Sequence, residues 1–139
     1  MAYLIDTNVL SEPLLKKPDL AVVAWLQSVI NESFISAITI EEMLYGAKRM
    51  PNGQRKDAIL AAIQAISAQY AHRILVFGLQ EAQVCSTLRV QAWSGGNNIG
   101  IQDIMIAATA QVSGLIVVTR NTKDFALLSV RCINPFSLK

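Results

Sequence analysis

The chain has 139 residues, of which 53% are hydrophobic and 16% are charged, and its net charge is +2. This composition predicts one well-packed domain over residues 1–139 and argues against intrinsic disorder. The small positive charge neither requires nor excludes an anionic partner. The sequence shows neither a signal-peptide pattern nor an apolar run of about 18 residues, so we expect a cytoplasmic protein that does not associate with membranes.

Strand patterns and helix patterns alternate along the chain. In chain order we predict a strand at 3–6, a helix at 19–30, a strand at 33–39, a helix from Ile40, a helix at 54–71, a strand at 74–77, helices at 81–93 and 101–112, and strands at 115–119 and 130–133. This alternation predicts an α/β fold with a mostly parallel central sheet of four to five strands.

Several kinds of catalytic site lack the residues they need. The chain has one histidine, His72, and two distant cysteines, Cys85 and Cys132, which lie in apolar patterns and are expected to stay reduced. No zinc site, thiol nucleophile or Ser-His-Asp triad can be assembled from them without His72, whose position favours a helix C-terminal role. Glycine-rich phosphate-binding loops are also absent from the sequence.

Ten acidic residues occur, and half of them have an ordinary explanation. These five fall at helix starts, turns or polar faces, where we expect them to be solvated: Glu12, Asp19, Glu32, Asp57 and Glu81.

The positions of four other carboxylates suggest a shared site. Asp6 ends the first strand, Glu42 lies in the first turn after the second strand, and Asp124 closely follows the strand at 115–119. The carboxyl ends of parallel strands meet at one edge of a sheet, where ligands bind. Asp103 begins the helix at 101–112, and it faces the same edge if that helix runs back along the sheet, or the opposite edge if it does not.

Each of these four residues also has an ordinary explanation when considered alone. Asp103 suits a helix N-terminus, Asp6 a turn, Asp124 a cap and Glu42 a solvated face. If they converge, however, their mutual repulsion requires shared protons or a bound cation. Mg²⁺ or Mn²⁺ is the natural occupant of a site built from oxygen ligands.

Four segments of the chain resemble the signature blocks of PIN-domain ribonucleases, most closely those of the VapC or FitB type, which are toxins of bacterial toxin–antitoxin pairs. The segments are L-I-D-T-N-V-L at 4–10, A-I-T-I-E-E-M-L-Y-G-A at 37–47, I-Q-D-I-M-I-A-A-T-A at 101–110 and V-V-T-R-N-T-K-D-F at 117–125. The resemblance covers essentially the whole chain. It implies a PIN-like three-layer α/β/α fold.

The resemblance also implies roles for individual residues. It assigns catalytic roles to Asp6, Glu42, Asp103 and Asn121, metal binding to Asp6 and Asp103, and supporting roles to Thr7, Asn8, Thr119 and Asp124. Asn121 departs from the family pattern, because a fourth acidic residue is expected there. Asparagine keeps an oxygen ligand but loses a charge, for which Asp124 could compensate. It therefore stays open whether one or two metal ions bind.

The activity implied is that of a Mg²⁺-dependent endoribonuclease, for which Mn²⁺ could also serve, cleaving single-stranded or looped RNA with a metal-activated water. Four basic residues could hold flanking phosphates near the same edge, or could simply be solvated: Lys48, Arg49, Arg120 and Lys123. The implied partners are a cognate antitoxin, a second copy of the chain and a larger assembly with antitoxin on operator DNA. Trp25, Leu26 and the helix at 54–71 offer surplus apolar surface for such contacts.

Two alternatives stay open at this point. One is a phosphohydrolase of the haloacid-dehalogenase type with Asp6 as nucleophile, although that chemistry needs a second aspartate where Asn8 stands. The other is a catalytically weak PIN-like binding module that acts through protein partners.

Overall fold

The computed structural model describes residues 1–137 and contains a five-stranded parallel sheet. Its strands are β1 (Tyr3–Ile5), β2 (Ser33–Ser36), β3 (Ile74–Leu75), β4 (Ile116–Val118) and β5 (Cys132–Ile133). They are arranged in the order β3-β2-β1-β4-β5, and every neighbouring pair is parallel. The carboxyl end of β1 therefore lies at the centre of one sheet edge, flanked by the ends of β2 and β4.

Seven α-helices within residues 1–137 cover the two faces of this sheet. They are α1 (Thr7–Leu10), α2 (Leu20–Ser28), α3 (Ala37–Lys48), α4 (Gln54–Gln69), α5 (Leu79–Ser94), α6 (Ile101–Ser113) and α7 (Thr122–Leu127). Short 3₁₀ turns occur at Glu12–Leu14, Ile30–Glu32 and Pro135–Ser137. The predicted three-layer α/β/α class with a parallel sheet is confirmed.

Two hydrophobic cores lie on opposite faces of the sheet. On β1, Leu4 belongs to the core with α5 and α6, whereas Ile5 belongs to the core with α2 and α4. Val117 and Val118 on β4 divide in the same way, and all four side chains have no exposed surface. This is the alternation of a pleated strand that is covered on both faces, which explains the continuous apolar runs in the sequence.

Some element boundaries differ from the predicted ones. The strand predicted at 33–39 ends at Ser36, because the Ser36 hydroxyl accepts a hydrogen bond from the N–H of Ile38 and so caps α3. Helix α5 begins at Leu79, before the predicted start, and Glu81 accepts a hydrogen bond from the N–H of Gly78. The sequence did not predict α1 and α7, which have four and six residues and are too short for a clear helical period.

The apolar surface predicted for partner contacts is only partly exposed. Leu26 is 6% exposed and belongs to the core, so its assignment to an interaction surface is wrong. Trp25 packs edge-on against Tyr3, with ring centroids 5.6 Å apart. Strongly exposed apolar side chains include Leu20 at the start of α2, and Val76 and Leu79 around the end of β3.

Two further expectations concern cysteines and membranes. Cys85 and Cys132 are both free thiols, as predicted. Across residues 1–137, none of the helices combines the length and the apolar character needed to span a bilayer.

Candidate active site

Asp6 lies directly after β1, and its side chain is only 3% exposed. Its Oδ1 accepts a hydrogen bond from the backbone N–H of Thr7 at 2.8 Å, which caps α1. Its Oδ2 accepts from the Thr119 hydroxyl at 2.8 Å and from the Asn8 side-chain amide at 3.3 Å. Thr119 follows β4, so the neighbouring strand supplies one of the donors. Together these donors hold a buried carboxylate in one orientation.

Glu42 reaches the same edge from α3. Its Oε1 accepts a hydrogen bond from the Thr7 hydroxyl at 2.8 Å, and that hydroxyl lies 3.2 Å from the hydroxyl of the buried Thr39. Because α3 begins at Ala37, Glu42 lies in its second turn and not in the first turn as predicted. The residue that follows Asp6 therefore ties the two acidic positions together.

Asp103 and Asp124 are joined by Asn121. The Asn121 side-chain amide donates to Oδ2 of Asp103 at 2.9 Å and to Oδ2 of Asp124 at 3.0 Å. The backbone N–H of Asn121 donates to the hydroxyl of Thr119 at 2.9 Å. Asp103 is in the first turn of α6 and is joined to Asp6 through Asn121 and Thr119, so α6 begins at the edge where β1 ends. Asp103 therefore faces the same sheet edge as Asp6, which the strand and helix pattern alone left open.

The three central carboxyl groups hold protons more tightly than usual. Burial raises the pKa of Asp6 to about 6, against the effect of the Thr119 hydrogen bond, and the negative charges of Asp103 and Glu42 add to the rise. Burial likewise raises the pKa of Glu42, and the charge of Asp103 contributes to it. The pKa of Asp103 is raised by burial, lowered by its hydrogen bond from Asn121 and raised by the charge of Asp124. The site is thus a set of coupled acids short of compensating positive charge.

The carboxylates at this edge supply few ligands for a divalent cation. Within residues 1–137, no three or more His, Cys, Asp or Glu side chains lie close enough together to hold a metal ion by themselves. Mg²⁺, however, is usually bound by one or two carboxylates and completes its octahedral shell with waters and substrate phosphate oxygens. Asp6 and Asp103, whose charges repel each other, fit that smaller requirement.

Glu12 is not solvated, and the prediction that it would be is wrong. Its side chain is buried, with the residue only 4% exposed. Its Oε2 accepts a hydrogen bond from the backbone N–H of Asp19 at 2.8 Å, and its Oε1 lies 3.5 Å from Nη2 of Arg120. The Arg120 guanidinium also covers the ring of Phe136, 3.8 Å from its centroid.

The four basic residues predicted to contact RNA fall into two groups. Arg120 and Lys123 lie in the segment that follows β4, which also carries Asn121. Lys48 and Arg49 lie at the end of α3, where Arg49 is about 10 Å along the helix axis beyond Glu42. Those two are therefore further from the carboxylates than their closeness in sequence implied.

Sequence reasoning missed two residues that shape this edge, Thr39 and Glu12. Thr39 precedes Glu42 by three positions and shares its helix face, which the strand predicted at 33–39 concealed because α3 in fact begins at Ala37. Glu12 stands between buried Leu10 and half-buried Leu14, which was the only local sign that it is covered.

A parallel α/β sheet with coupled carboxylates at its central edge is the architecture of an α/β protein with an acidic active site. Comparison with known proteins identifies its family. The sequence profile of the PIN domain matches residues 3–129. The chain belongs to the PIN-domain family. The resemblance seen in the four sequence segments is confirmed.

Two relatives and one solved structure illustrate the match. Toxin FitB of Neisseria gonorrhoeae is 40% identical over 135 residues, which are 96% of this chain and 97% of that protein. VapC ribonuclease Y4jK of Sinorhizobium fredii is 37% identical over 134 residues, covering 95% and 96% of the two chains. A solved structure of FitAB bound to an IR36 DNA fragment superposes with a TM-score of 0.90 at 38% identity, covering 99% of this chain and 97% of that one.

Proposed function

We propose that this chain is a metal-dependent endoribonuclease and the toxin component of a toxin–antitoxin pair, acting as a single domain over residues 1–139 in the cytoplasm. The observation that carries the proposal is the set of three coupled carboxyl groups, Asp6, Glu42 and Asp103, at the central edge of a PIN-domain sheet. The relatives named as a toxin and as a ribonuclease support it.

In this proposal Asp6 and Asp103 hold Mg²⁺, or Mn²⁺ in its place. The chemistry that such an ion would supply is neutralisation of charge on the scissile phosphate and a lower pKa for the attacking water. Thr7 and Thr119 fix the orientation of Asp6 from opposite sides, so that its carboxylate is positioned before a ligand arrives. Asn8 adds a third donor to the same carboxylate.

Glu42 is the residue proposed to orient the attacking water and to take up its proton. Burial raises the pKa of Glu42 above its ordinary value, which favours uptake of a proton by this carboxylate. Asn121 contributes an amide at the position where a fourth carboxylate is expected, and Asp124 supplies the missing charge beside it.

The proposed substrate is single-stranded or looped RNA, because the bases of unpaired strands are accessible to a protein. In this proposal Lys123 and Arg120 contact phosphates near Asn121, and Lys48 and Arg49 contact phosphates further along the strand. The proposed partners are a cognate antitoxin, a second copy of the chain and operator DNA bound with the antitoxin. The solved FitAB complex with DNA supports the last of these.

The test is cleavage of a labelled mixed RNA by the purified protein with Mg²⁺, with EDTA, and after Asp6→Asn. Cleavage that requires both the ion and Asp6 is the expected result. The matched control is Asp57→Asn, which makes the same chemical change on an exposed residue and should leave cleavage intact. Cleavage that persists in EDTA or in Asp6→Asn would contradict the proposal.

The same experiment separates the remaining alternative. Membership of the PIN-domain family argues against a haloacid-dehalogenase-type phosphohydrolase with Asp6 as its nucleophile. The catalytically weak binding module draws support from one observation, the Asn121 amide that occupies an oxygen of Asp103. A protein that neither cleaves RNA nor binds Mg²⁺ at millimolar concentrations would favour that module over the nuclease.

A further inference from the structure

A second buried carboxylate, outside the three proposed for catalysis, lies next to the candidate site. Glu12 lies two residues beyond the segment at 4–10 and has no role in the chemistry described above. Its side chain is 5% exposed, whereas that of its ion-pair partner Arg120 is 57% exposed. A buried carboxylate is costly unless it is paired and hydrogen-bonded, and Arg120 together with the N–H of Asp19 supplies this pairing.

Arg120 connects this pair to the site through its own backbone. Its N–H donates to Oδ1 of Asn8 at 3.1 Å, and the amide of Asn8 donates to Oδ2 of Asp6. Its two chain neighbours are Thr119, which donates to Asp6, and Asn121, which donates to Asp103. Any movement of Arg120 therefore displaces groups that touch two of the three coupled carboxylates.

The Arg120 side chain is held on two sides. Glu12 pairs with one edge of the guanidinium, and the ring of Phe136, in the Pro135–Ser137 turn, lies against its face. Arginine suits this arrangement because its planar cation can pair and stack at once, which a lysine ammonium cannot do as well. We call the group Glu12, Arg120 and Phe136 the arginine clasp.

We propose that Arg120 is a positioning residue, which the arginine clasp anchors so that Thr119 and Asn121 are held in register with Asp6 and Asp103. Its main contribution is to the geometry of the carboxylate edge, and contact with RNA phosphates is secondary. Glu12 and Phe136 take part in the same function although neither reaches the coupled carboxylates by any hydrogen bond described for residues 1–137.

The two roles of Arg120 predict different kinetics. If Arg120 only contacted a phosphate, Arg120→Lys would keep the contact and Glu12→Gln would not affect it. Loss of the positive charge would then raise KM and weaken its salt dependence. A positioning role predicts that both variants lower kcat by at least about tenfold while KM changes by less than about twofold, because small displacements of catalytic groups cost rate more than binding.

The kinetic test compares these variants under Mg²⁺ with a single RNA substrate. Lys123→Gln serves as the phosphate-contact comparator, since Lys123 is exposed in the same segment, and it should raise KM. Glu32→Gln repeats the change made at Glu12 on an exposed glutamate and should leave both constants unchanged. Phe136→Leu keeps the buried ion pair intact and should lower kcat by about threefold, which guards against a fold lost through Glu12→Gln.

This inference rests on the proposed nuclease activity, so a readout independent of activity accompanies it. The side-chain amide signals of Asn8 and Asn121 are followed by ¹H–¹⁵N NMR without metal or RNA, Asn121 being assigned by the loss of its signal in Asn121→Asp. Both signals should shift in Glu12→Gln and stay in place in Glu32→Gln. A wild type without cleavage would refute the nuclease alone, whereas unmoved amide signals or a pure KM effect would overturn the clasp.

Discussion

Replacing Asp6 by asparagine is expected to stabilise the metal-free protein at pH 8, although it removes the central residue of the candidate site. Burial raises the pKa of Asp6 from its ordinary value of 3.8 to about 6. Each pKa unit corresponds to about 1.4 kcal/mol, so ionised Asp6 lowers the free energy of unfolding by about 3 kcal/mol. Asparagine is a poorer acceptor than the carboxylate for the hydrogen bonds from Thr7 and Thr119, which offsets part of this gain. The free energy of unfolding is therefore expected to rise by about 1–3 kcal/mol.

The pH dependence of this effect has a definite sign. Between about pH 4 and pH 6 the folded protein holds the Asp6 proton more tightly than the unfolded chain does. The stability contributed by this group is therefore greatest below pH 4, and it is lost as the pH rises through about 6. The difference between Asp6→Asn and wild type should accordingly shrink to less than about 0.5 kcal/mol at pH 4.

Urea unfolding in EDTA at pH 4 and pH 8 measures both quantities. Asp57→Asn is the control, because Asp57 is exposed in the first turn of α4, and its loss should lower stability by less than about 1 kcal/mol at pH 8. A variant Asp6→Asn that is less stable than wild type at pH 8 would refute the reasoning. It would mean that the hydrogen bonds to the carboxylate outweigh the cost of burying its charge.

Two further substitutions probe the groups around Asp6. Thr119→Val removes a donor to Asp6 and the acceptor for the Asn121 N–H, so it should lower stability at pH 8 by about 1–3 kcal/mol in urea unfolding, and an unchanged value would contradict the role of the hydroxyl. Asn121→Asp replaces two donated hydrogen bonds by a third negative charge beside Asp103 and Asp124. Its melting temperature should fall in EDTA and rise more with Mg²⁺ than that of wild type, whereas an equal rise would count against metal binding at this position.

Most of the fold could be predicted from local patterns, because the sheet is covered on both faces. The strands around Leu4 and Val117 are short apolar runs, and α6 is buried on most of its surface from Ile104 to Ala110. Such segments differ clearly from the amphipathic helices and the polar loops between them. Boundaries were less predictable where a single side chain decided them, as the Ser36 cap does at the start of α3.

The candidate site was predictable in its residues but not in its connections. The rule that parallel strands end together predicted one shared edge for Asp6, Glu42 and Asp124, and the family resemblance added Asp103 to it. The sequence could not show that Asn121 donates to two carboxylates, because that contact depends on where α6 and α7 begin relative to each other. The burial of Glu12 was not predicted either, because its partner Arg120 lies 108 positions away in the chain.

The central claim is that Asp6 and Asp103 form a divalent-cation site within a set of coupled acids. Titration calorimetry with Mg²⁺ between pH 5 and pH 7.5, in two buffers of different ionisation enthalpy, tests it most directly. We predict binding that tightens as the pH rises and that releases protons near pH 6, because the ion displaces the proton held by Asp6. Asp6→Asn should abolish both effects, and Asp57→Asn neither. Binding that is independent of pH and survives Asp6→Asn, or no binding at millimolar Mg²⁺, would contradict the claim.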